Sequence, residues 1–267
     1  MRDQAGPSAV SSLSDVQLIN AAGNGRFVLV CEHATNFIPP EFSDLGLNEA
    51  ERHSHIAWDI GAFEVAKALS ERLNAPLIAP VVSRLVYDCN RPVQVQSAVP
   101  EKSEIYDIPG NAGLTDDDRS ARSDRFYQPY RKALMNVIEQ AAGEGRQPAI
   151  VTIHSFTKLF HGQNRILDLG LVHDEDARLA NEIVALNQVD GAFIARTNEP
   201  YGPRDGVTYT LVEHALGRGL LNVMIEIRND LIANPDGQTA MANRLAGYLL
   251  SAVVNLDADE KRRVSQC

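Results

Sequence analysis

The sequence predicts an α/β protein with a mixed, mainly parallel central sheet flanked by helices. Predicted strands and helices alternate along the 267 residues, an order that favours a parallel sheet covered by helices. Several strands are nearly continuous apolar runs, which is typical of strands that are buried on both faces. Three of these strands also end in polar residues, and ligands bind beyond the carboxyl ends of parallel strands. We therefore expect one domain with its functional site along one edge of the sheet.

Apolar periodicity assigns the individual elements in chain order. The predicted strands are residues 26–30, 75–82, 148–156, 167–173 and 219–231. The predicted helices are residues 48–74, 115–143, 174–188 and 241–254. Thr115 and Asp118 form a capping box at the start of the second helix, and Pro129 predicts a bend within it.

The two ends of the chain are expected to lie outside this domain. Residues 1–22 are a polar lead-in without the basic and apolar regions of a signal peptide, and they predict at most a short helix over 14–22. Residues 23–256 contain all the predicted strands and are expected to form a single α/β domain. Residues 257–267 are a polar tail. The long irregular stretch 92–113 is typical of a functional loop.

Composition excludes several classes of partner. A net charge of −10 disfavours nucleic-acid binding through clustered Lys and Arg, and no apolar run approaches the roughly 18 residues of a membrane span. Cys31, Cys89 and Cys267 are odd in number and widely spaced, which excludes a disulfide framework or a Cys-x-x-Cys zinc site. We expect a reducing, cytoplasmic compartment and no membrane partner. The composition is compatible with either a monomer or a homo-oligomer.

Two histidines stand at the ends of predicted strands and suggest a metal site. His33 follows the strand at 26–30, and His154 ends the apolar part of 148–156. Neutral imidazole is a common zinc ligand, and a catalytic zinc has three protein ligands and one open position. The third ligand is left open by the sequence between Asp59, Glu32 and Asn36.

Asp59 also lies four residues after His55, on one face of the helix predicted at 48–74. His55 and Asp59 are therefore expected to form either a ligand pair or a pair in which one supports the other.

Acidic and basic residues near other strand ends suggest a base and an anion site. Glu226 is a candidate general base, and Arg228 projects to the same side of its strand because side chains alternate. Arg84, Asn90 and Arg91 surround a further apolar segment, and the planar guanidinium of arginine matches a carboxylate bidentately.

Several motifs taken together resemble the N-formylglutamate amidohydrolase family. They are "VCEHATNFIPPEF", "HIAWDIGA", "SRLVYDCNRP", "HSFT", "NEPY" and "NVMIEIRNDLI", and the resemblance as a whole runs from about residue 26 to 253. The resemblance implies a three-layer phosphorylase/hydrolase-like fold, shared with zinc carboxypeptidases. It also implies one Zn²⁺ per chain and hydrolysis of an amide on an acidic amino acid, so the expected partner is a small anionic amino-acid derivative.

The same resemblance implies a role for individual residues. It supports His33 and His154 as metal ligands and Glu226 as the general base, and Asp59 is preferred over Glu32 and Asn36 as the third ligand. The residues expected to bind substrate are Arg84, Asn90, Arg91, Ser155, Tyr201 and Arg228. Two positions depart from the pattern, because Asn36 stands where a carboxypeptidase has Glu, and Lys158 stands where this family usually has Pro.

Two alternative functions stay open. The first is a carboxypeptidase-like or aminoacylase-like hydrolase of another amide. The second is a non-catalytic homologue that keeps the anion pocket.

Overall fold

A seven-stranded mixed sheet forms the centre of the structure, a computed structural model that describes residues 16–265. The strands in chain order are β1 (Val16–Ile19), β2 (Phe27–Val30), β3 (Leu77–Pro80), β4 (Ala149–Phe156), β5 (Leu169–Val172), β6 (Ala195–Thr197) and β7 (Asn222–Arg228). Across the sheet their order is β1-β3-β2-β4-β7-β5-β6. The four neighbours β3, β2, β4 and β7 are parallel, whereas β1 and β5 pair antiparallel to β3 and β7.

Helices cover both faces of the sheet. They are α1 (Glu49–Arg52), α2 (Ala62–Arg72), α3 (Asp116–Arg122), α4 (Gln128–Gly143), α5 (Arg178–Asp190), α6 (Tyr209–His214) and α7 (Pro235–Ser265). Side chains of β2 alternate between two apolar clusters, with Phe27 and Leu29 against α2, α5 and α7, and Val28 and Val30 against α4. The predicted three-layer α/β architecture is therefore confirmed.

The parallel strands bring their carboxyl ends to one edge of the sheet. The predicted strands at 26–30, 148–156 and 219–231 are confirmed as β2, β4 and β7, and every residue of β2 is buried. Glu226 of β7 stands directly opposite His154 of β4 in the pairing register. Two hairpins stand near this edge: Lys102–Ser103 with Tyr106–Asp107 (the 102–107 hairpin), and Leu159–Phe160 with Gln163–Asn164 (the 159–164 hairpin).

The single helix predicted at 48–74 is wrong, because the chain forms α1 and α2 with a turn between them. A capping box of Asn48 and Glu51 begins α1. Asp59 then donates its backbone N–H to the carbonyl of His33, which holds the turn against the end of β2. Gly61 begins α2 at φ +82°, where a Cβ atom would lie 2.4 Å from the carbonyl oxygen of Ile232.

Other element boundaries also differ from the predictions. Within the described residues, the N-terminal segment contributes the edge strand β1 rather than a helix over 14–22, and the lead-in before residue 16 lies outside them. The strand β6 was not predicted. The closing helix predicted at 241–254 is longer, since α7 continues from Pro235 through Ser265 and into the predicted tail.

The long helix predicted at 115–143 is interrupted. Its capping box of Thr115 and Asp118 is confirmed, and α3 and α4 are joined by a π-helical turn at Ser123–Tyr127, which ends two residues before Pro129. Among the helices of residues 16–265, none is long and apolar enough to cross a bilayer.

Candidate metal centre and active site

Three ligand-type side chains converge where β2 and β4 end. His33 Nδ1 lies 3.2 Å from His154 Nδ1 and 3.2 Å from Asp59 Oδ2. His154 Nδ1 lies 2.8 Å from the same Asp59 oxygen. All three residues are buried, and together they could hold a metal ion.

The spacing and chemistry of these donors fit a small divalent cation. Three donors at about 2.0–2.2 Å from a tetrahedral zinc ion lie roughly 3.3 Å apart. The observed separations of 2.8 to 3.2 Å are close to that value. Two neutral imidazole nitrogens at 3.2 Å also need a proton or a cation between them, because both would otherwise present lone pairs.

Each histidine has a second carboxylate neighbour, at the ring nitrogen that faces away from Asp59. His33 Nε2 is 2.9 Å from Asp88 Oδ1, so this ring has a carboxylate at each nitrogen. His154 Nε2 lies 3.0 Å from Glu32 Oε2, in an ion-pair contact rather than a well-directed hydrogen bond. Carboxylates in this position fix the orientation of a ligating histidine and make it more basic. Both histidines are thus arranged as metal ligands usually are.

The electrostatics of the cluster favour charged carboxylates and protonated imidazoles. Burial raises the pKa of Asp59, but the neighbouring His33 and His154 outweigh burial and hold that pKa well below its usual value. Burial lowers the pKa of His154, but the charge of Glu32 and the hydrogen bond to Asp59 raise it well above its usual value. The cluster therefore carries negative charge that a cation, either protons or a metal ion, must balance.

The backbone places Asp59 with little freedom. The backbone N–H of Asp59 donates to the carbonyl of His33, and its carboxylate accepts a hydrogen bond from the backbone N–H of Ser155 at 3.3 Å. The hydroxyl of Ser155 donates to the carbonyl of Ile60 at 2.9 Å. Ser155 therefore ties the turn before α2 to β4, and its hydroxyl is already engaged within the protein.

The two other candidates for the third donor lie elsewhere. Glu32 contacts the far nitrogen of His154, and the Asn36 side chain donates to the carbonyl of Arg52 at 2.9 Å. The predicted pairing of His55 with Asp59 is wrong, since no helix joins them and His55 Nε2 lies 2.8 Å from Glu104 Oε1. Asp59 is the carboxylate that faces both histidines.

Glu226 is buried beside this cluster and has an unpaired carboxylate oxygen. Its Oε2 has no hydrogen-bond partner among the residues that the structure describes. Burial raises the pKa of Glu226 to about 7, with the charge of Asp59 adding to the rise and His154 opposing it. A carboxyl group with such a pKa can exchange a proton near neutral pH.

Gly170 makes room for this carboxylate and for the loop above it. It stands opposite Glu226 in the pairing of β5 with β7. A Cβ atom on Gly170 would lie 2.0 Å from the carbonyl oxygen of Glu199 and 3.2 Å from the Cβ of Glu226. The segment that leads to Tyr201 can therefore approach Glu226 only over a glycine.

The donors and Glu226 line one cavity of about 440 Å³. This volume is within the range of sites for small molecules. Five of the six predicted substrate-binding residues also line it: Arg84, Asn90, Arg91, Ser155 and Tyr201. Arg228 does not, because its guanidinium lies 2.7 Å from Asp168 Oδ1 and 2.6 Å from Asp230 Oδ1.

The polar groups of Arg84, Arg91 and Asn90 are also engaged within the protein, in addition to those of Ser155 and Arg228. Arg84 lies 2.9 Å from Asp88 Oδ2 and 3.6 Å from Asp59 Oδ1. Arg91 Nη1 donates to the carbonyls of Asp205 and Gly206.

The Asn90 side chain is also occupied. It donates to the Val207 carbonyl at 2.6 Å and accepts the N–H of Thr210 at 3.0 Å. These bonds tie the segment after β3 to the first turn of α6 and to Val207 just before it.

Asp88 and Arg165 line the cavity but are absent from the predicted site. The sequence places Asp88 only beside the arginines, although it contacts His33 from 55 positions away. Arg165 follows the 159–164 hairpin and faces the cavity. Neither has a periodic or spacing signal. A carboxylate in "YDCNRP" beside two arginines is the available hint for Asp88.

Comparisons with known proteins agree with this architecture. The chain is similar to a gene product of Agrobacterium tumefaciens with a solved structure, at 48% identity and a TM-score of 0.89, covering 91% of this chain and 96% of that one. The N-formylglutamate amidohydrolase of Ralstonia eutropha JMP134 shares the fold, at 19% identity and a TM-score of 0.57, covering 91% and 98%. A comparison with curated proteins gave no significant match.

The sequence profile described as N-formylglutamate amidohydrolase matches residues 25–233, which include the three donors, Glu226 and the cavity. The chain therefore belongs to the N-formylglutamate amidohydrolase family and is a hydrolase of amide C–N bonds.

Proposed function

We propose that the protein is a zinc-dependent amidohydrolase that cleaves the amide of an N-acylated acidic amino acid, with N-formylglutamate as the reference substrate. The observation that carries the proposal is the unpaired carboxylate of Glu226 in the same cavity as His33, Asp59 and His154. Two imidazoles and one carboxylate form a donor set that suits a catalytic zinc ion. The cavity volume suits a substrate of this size.

His33, Asp59 and His154 would hold the metal ion. When bound, zinc supplies Lewis-acid activation of water and of the amide carbonyl. Asp88 and Glu32 keep the two imidazoles in place through contacts at their far nitrogens. Ser155 keeps Asp59 in place through its backbone N–H.

Glu226 would move the proton. In its ionised form it accepts a proton from the attacking water, and it then delivers that proton to the nitrogen of the leaving amine. A raised pKa suits both halves of this role, since the group must accept a proton near neutral pH and then give it up.

A change of Glu226 to Gln tests this assignment. The variant is expected to lose turnover by a factor of about 10² or more, because the amide cannot accept the proton. Its zinc content should equal that of the wild-type protein, since Glu226 is not among the three donors. Glu64→Gln on the exposed side of α2 is the matched control. Undiminished turnover in Glu226→Gln would refute the role of Glu226.

A substrate panel separates the proposal from a hydrolase of another amide. N-formyl, N-acetyl and dipeptide forms of glutamate and aspartate are compared by kcat/KM, with chelated protein as the blank. Preference for N-formyl or N-acetyl acidic amino acids supports the proposal. Preference for dipeptides indicates the carboxypeptidase-like alternative, and tight binding without turnover in the zinc-loaded protein indicates a binding homologue.

A further inference from the structure

Three arginines line the cavity, and two of them already have carboxylate neighbours. Arg84 lies within 4.0 Å of both Asp59 and Asp88, and Arg91 Nε lies 3.7 Å from Asp88 Oδ2. Arg165 has no carboxylate within that distance in the described part of the chain. Its charge is therefore the one among the three that is left for a ligand.

Aromatic rings surround the Arg165 guanidinium. Its central carbon lies 4.1 Å from the ring centre of Phe160, 5.0 Å from that of Tyr201 and 5.6 Å from that of Phe156. Nη1 lies 3.2 Å from the Tyr201 hydroxyl and 3.4 Å from the Thr157 carbonyl. Stacking on aromatic faces restrains the guanidinium plane and leaves its other N–H groups free to donate.

The 159–164 hairpin sets the position of Arg165. The backbone N–H of Arg165 donates to the carbonyl of Lys158 at 2.8 Å, which closes the base of the hairpin. Both residues of the tip, His161 and Gly162, have positive φ, which allows the tight turn. Arg165 is thus fixed by backbone bonds at the cavity wall, while Lys158 on the opposite strand is exposed and lies 3.4 Å from Asp230.

Arg165 is linked to the donor cluster through two short connections. Phe156 lies two residues after His154 on β4, so the two side chains leave the same face of the strand. Tyr201 experiences both groups of charges: burial and the charge of Glu226 raise its pKa, while Arg165 opposes the rise. Arg165 therefore borders the same cavity as Glu226 and lies beside the Tyr201 hydroxyl.

We infer that Arg165 binds one of the two carboxylates of the substrate and gives the site its preference for that acid over the corresponding carboxamide. A flat guanidinium with free parallel N–H groups matches a carboxylate, which is also flat and carries one negative charge. This inference rests on the proposed function, since Arg165 would bind a carboxylate of the substrate that the proposed reaction cleaves at its amide.

Calorimetric binding tests the inference without any turnover. The protein is the zinc-loaded Glu226→Gln variant, and the ligands are N-formylglutamate, N-formylaspartate and N-acetylglutamate, each with its two mono-carboxamides. An added Arg165→Met change should weaken binding of the acids about 10- to 100-fold, because a charge-assisted bidentate pair is lost. Binding of the carboxamide that lacks the recognised carboxylate should change by no more than about twofold.

Two further variants make the result specific. Arg165→Lys keeps the charge without the planar fork, so its affinity for the acids should fall between that of the parent protein and that of Arg165→Met. Lys158→Met removes one positive charge next to the same hairpin, at an exposed residue that does not line the cavity, and it should leave the acid preference unchanged. The same acids are used for every protein, and thermal melts confirm that each variant is folded.

The outcomes separate this inference from the proposed function. The inference is supported if Arg165→Met loses the preference for acid over carboxamide while Lys158→Met keeps it. This result supports the role of Arg165 even where the wild-type protein hydrolyses none of the amides. An unchanged preference in Arg165→Met, or failure of every acid to bind the parent protein, overturns it, whatever the hydrolytic activity. If Arg165→Met does not fold, an Arg165→Lys protein with unaltered affinity for the acids overturns it equally.

Discussion

Asp88 Oδ1 lies 2.9 Å from Nε2 of His33, on the side of the imidazole opposite to Asp59. The same carboxylate receives Arg84 at 2.9 Å through its other oxygen, so it is held from two sides. Burial raises the pKa of Asp88, but His33 and Arg84 outweigh burial and keep the carboxyl group ionised. Asp88 therefore orients His33 with a full negative charge.

Replacing Asp88 with Asn should weaken metal binding. The amide keeps the shape of the side chain but removes the charge that makes His33 more basic, and a change of this kind typically costs about 10- to 100-fold in affinity. Competition with a chromogenic chelator measures the affinity for zinc. Asp257→Asn, at a partly exposed ion pair with Arg26 outside the cavity, is the control. Equal affinities for the two variants would contradict this function of Asp88.

Zinc binding should release protons and become tighter as the pH rises. The neighbouring carboxylates raise the pKa of both His33 and His154 against the effect of burial, so the metal-free cluster holds protons near neutral pH. Because zinc binds neutral imidazole, each released proton should increase the apparent affinity about tenfold per pH unit. Calorimetry in two buffers of different ionisation enthalpy counts the protons. A pH-independent affinity with no proton release would be inconsistent with these ligands.

The pH dependence of kcat/KM should have an acidic limb set by Glu226. The ionised form is the active one, so the rate rises with pH through its pKa. Burial raises that pKa to about 7, and the positive charge of a bound metal ion would lower it again. We expect the limb between about pH 4.5, the ordinary range of glutamate, and about pH 7. An activity that is constant down to about pH 4 would argue against Glu226 as the base.

Gly170→Ala should reduce activity without removing the metal ion. The added methyl group would meet the Glu199 carbonyl at 2.0 Å, so the segment carrying Tyr201 must move away from Glu226. We expect kcat/KM to fall at least about tenfold and the free energy of unfolding to fall by about 1–3 kcal/mol. Gly247→Ala in α7, where a Cβ atom meets nothing within 4 Å, is the control. Full activity of Gly170→Ala would show that this close approach is unimportant.

Local patterns in the sequence were sufficient to predict the central strands of the sheet. β2, β4 and β7 are apolar runs buried from end to end or nearly so, and a parallel strand needs no other feature. The same reasoning failed at 48–74, where Ala57 and Ile60 continue a helical pattern of apolar residues. Ala57 is buried there in a turn, which is held by the bond from the Asp59 N–H to the His33 carbonyl.

The site was predictable where its residues end strands, and much less where loops meet. His33, His154 and Glu226 stand at strand ends, so the topology alone brings them together. Asp88 and Arg165 reach the cavity from irregular segments, and the contacts that define their roles join positions far apart in sequence. Arg228 was wrongly predicted to bind substrate. Strand alternation predicts that its side chain leaves β7 on the same face as Glu226, but it does not predict the ion pairs of Arg228 with Asp168 and Asp230.

Activity should depend on a metal ion that is held by His33, Asp59 and His154. A crystal structure of the zinc-loaded protein, with anomalous difference density collected on both sides of the zinc absorption edge, examines these ligands themselves. We predict one peak per chain, with Nδ1 of His33, Nδ1 of His154 and a carboxylate oxygen of Asp59 at about 2.0–2.2 Å. A peak bound by other residues, or no peak in crystals of protein that remains active after chelation, would show that these three residues do not form the metal site.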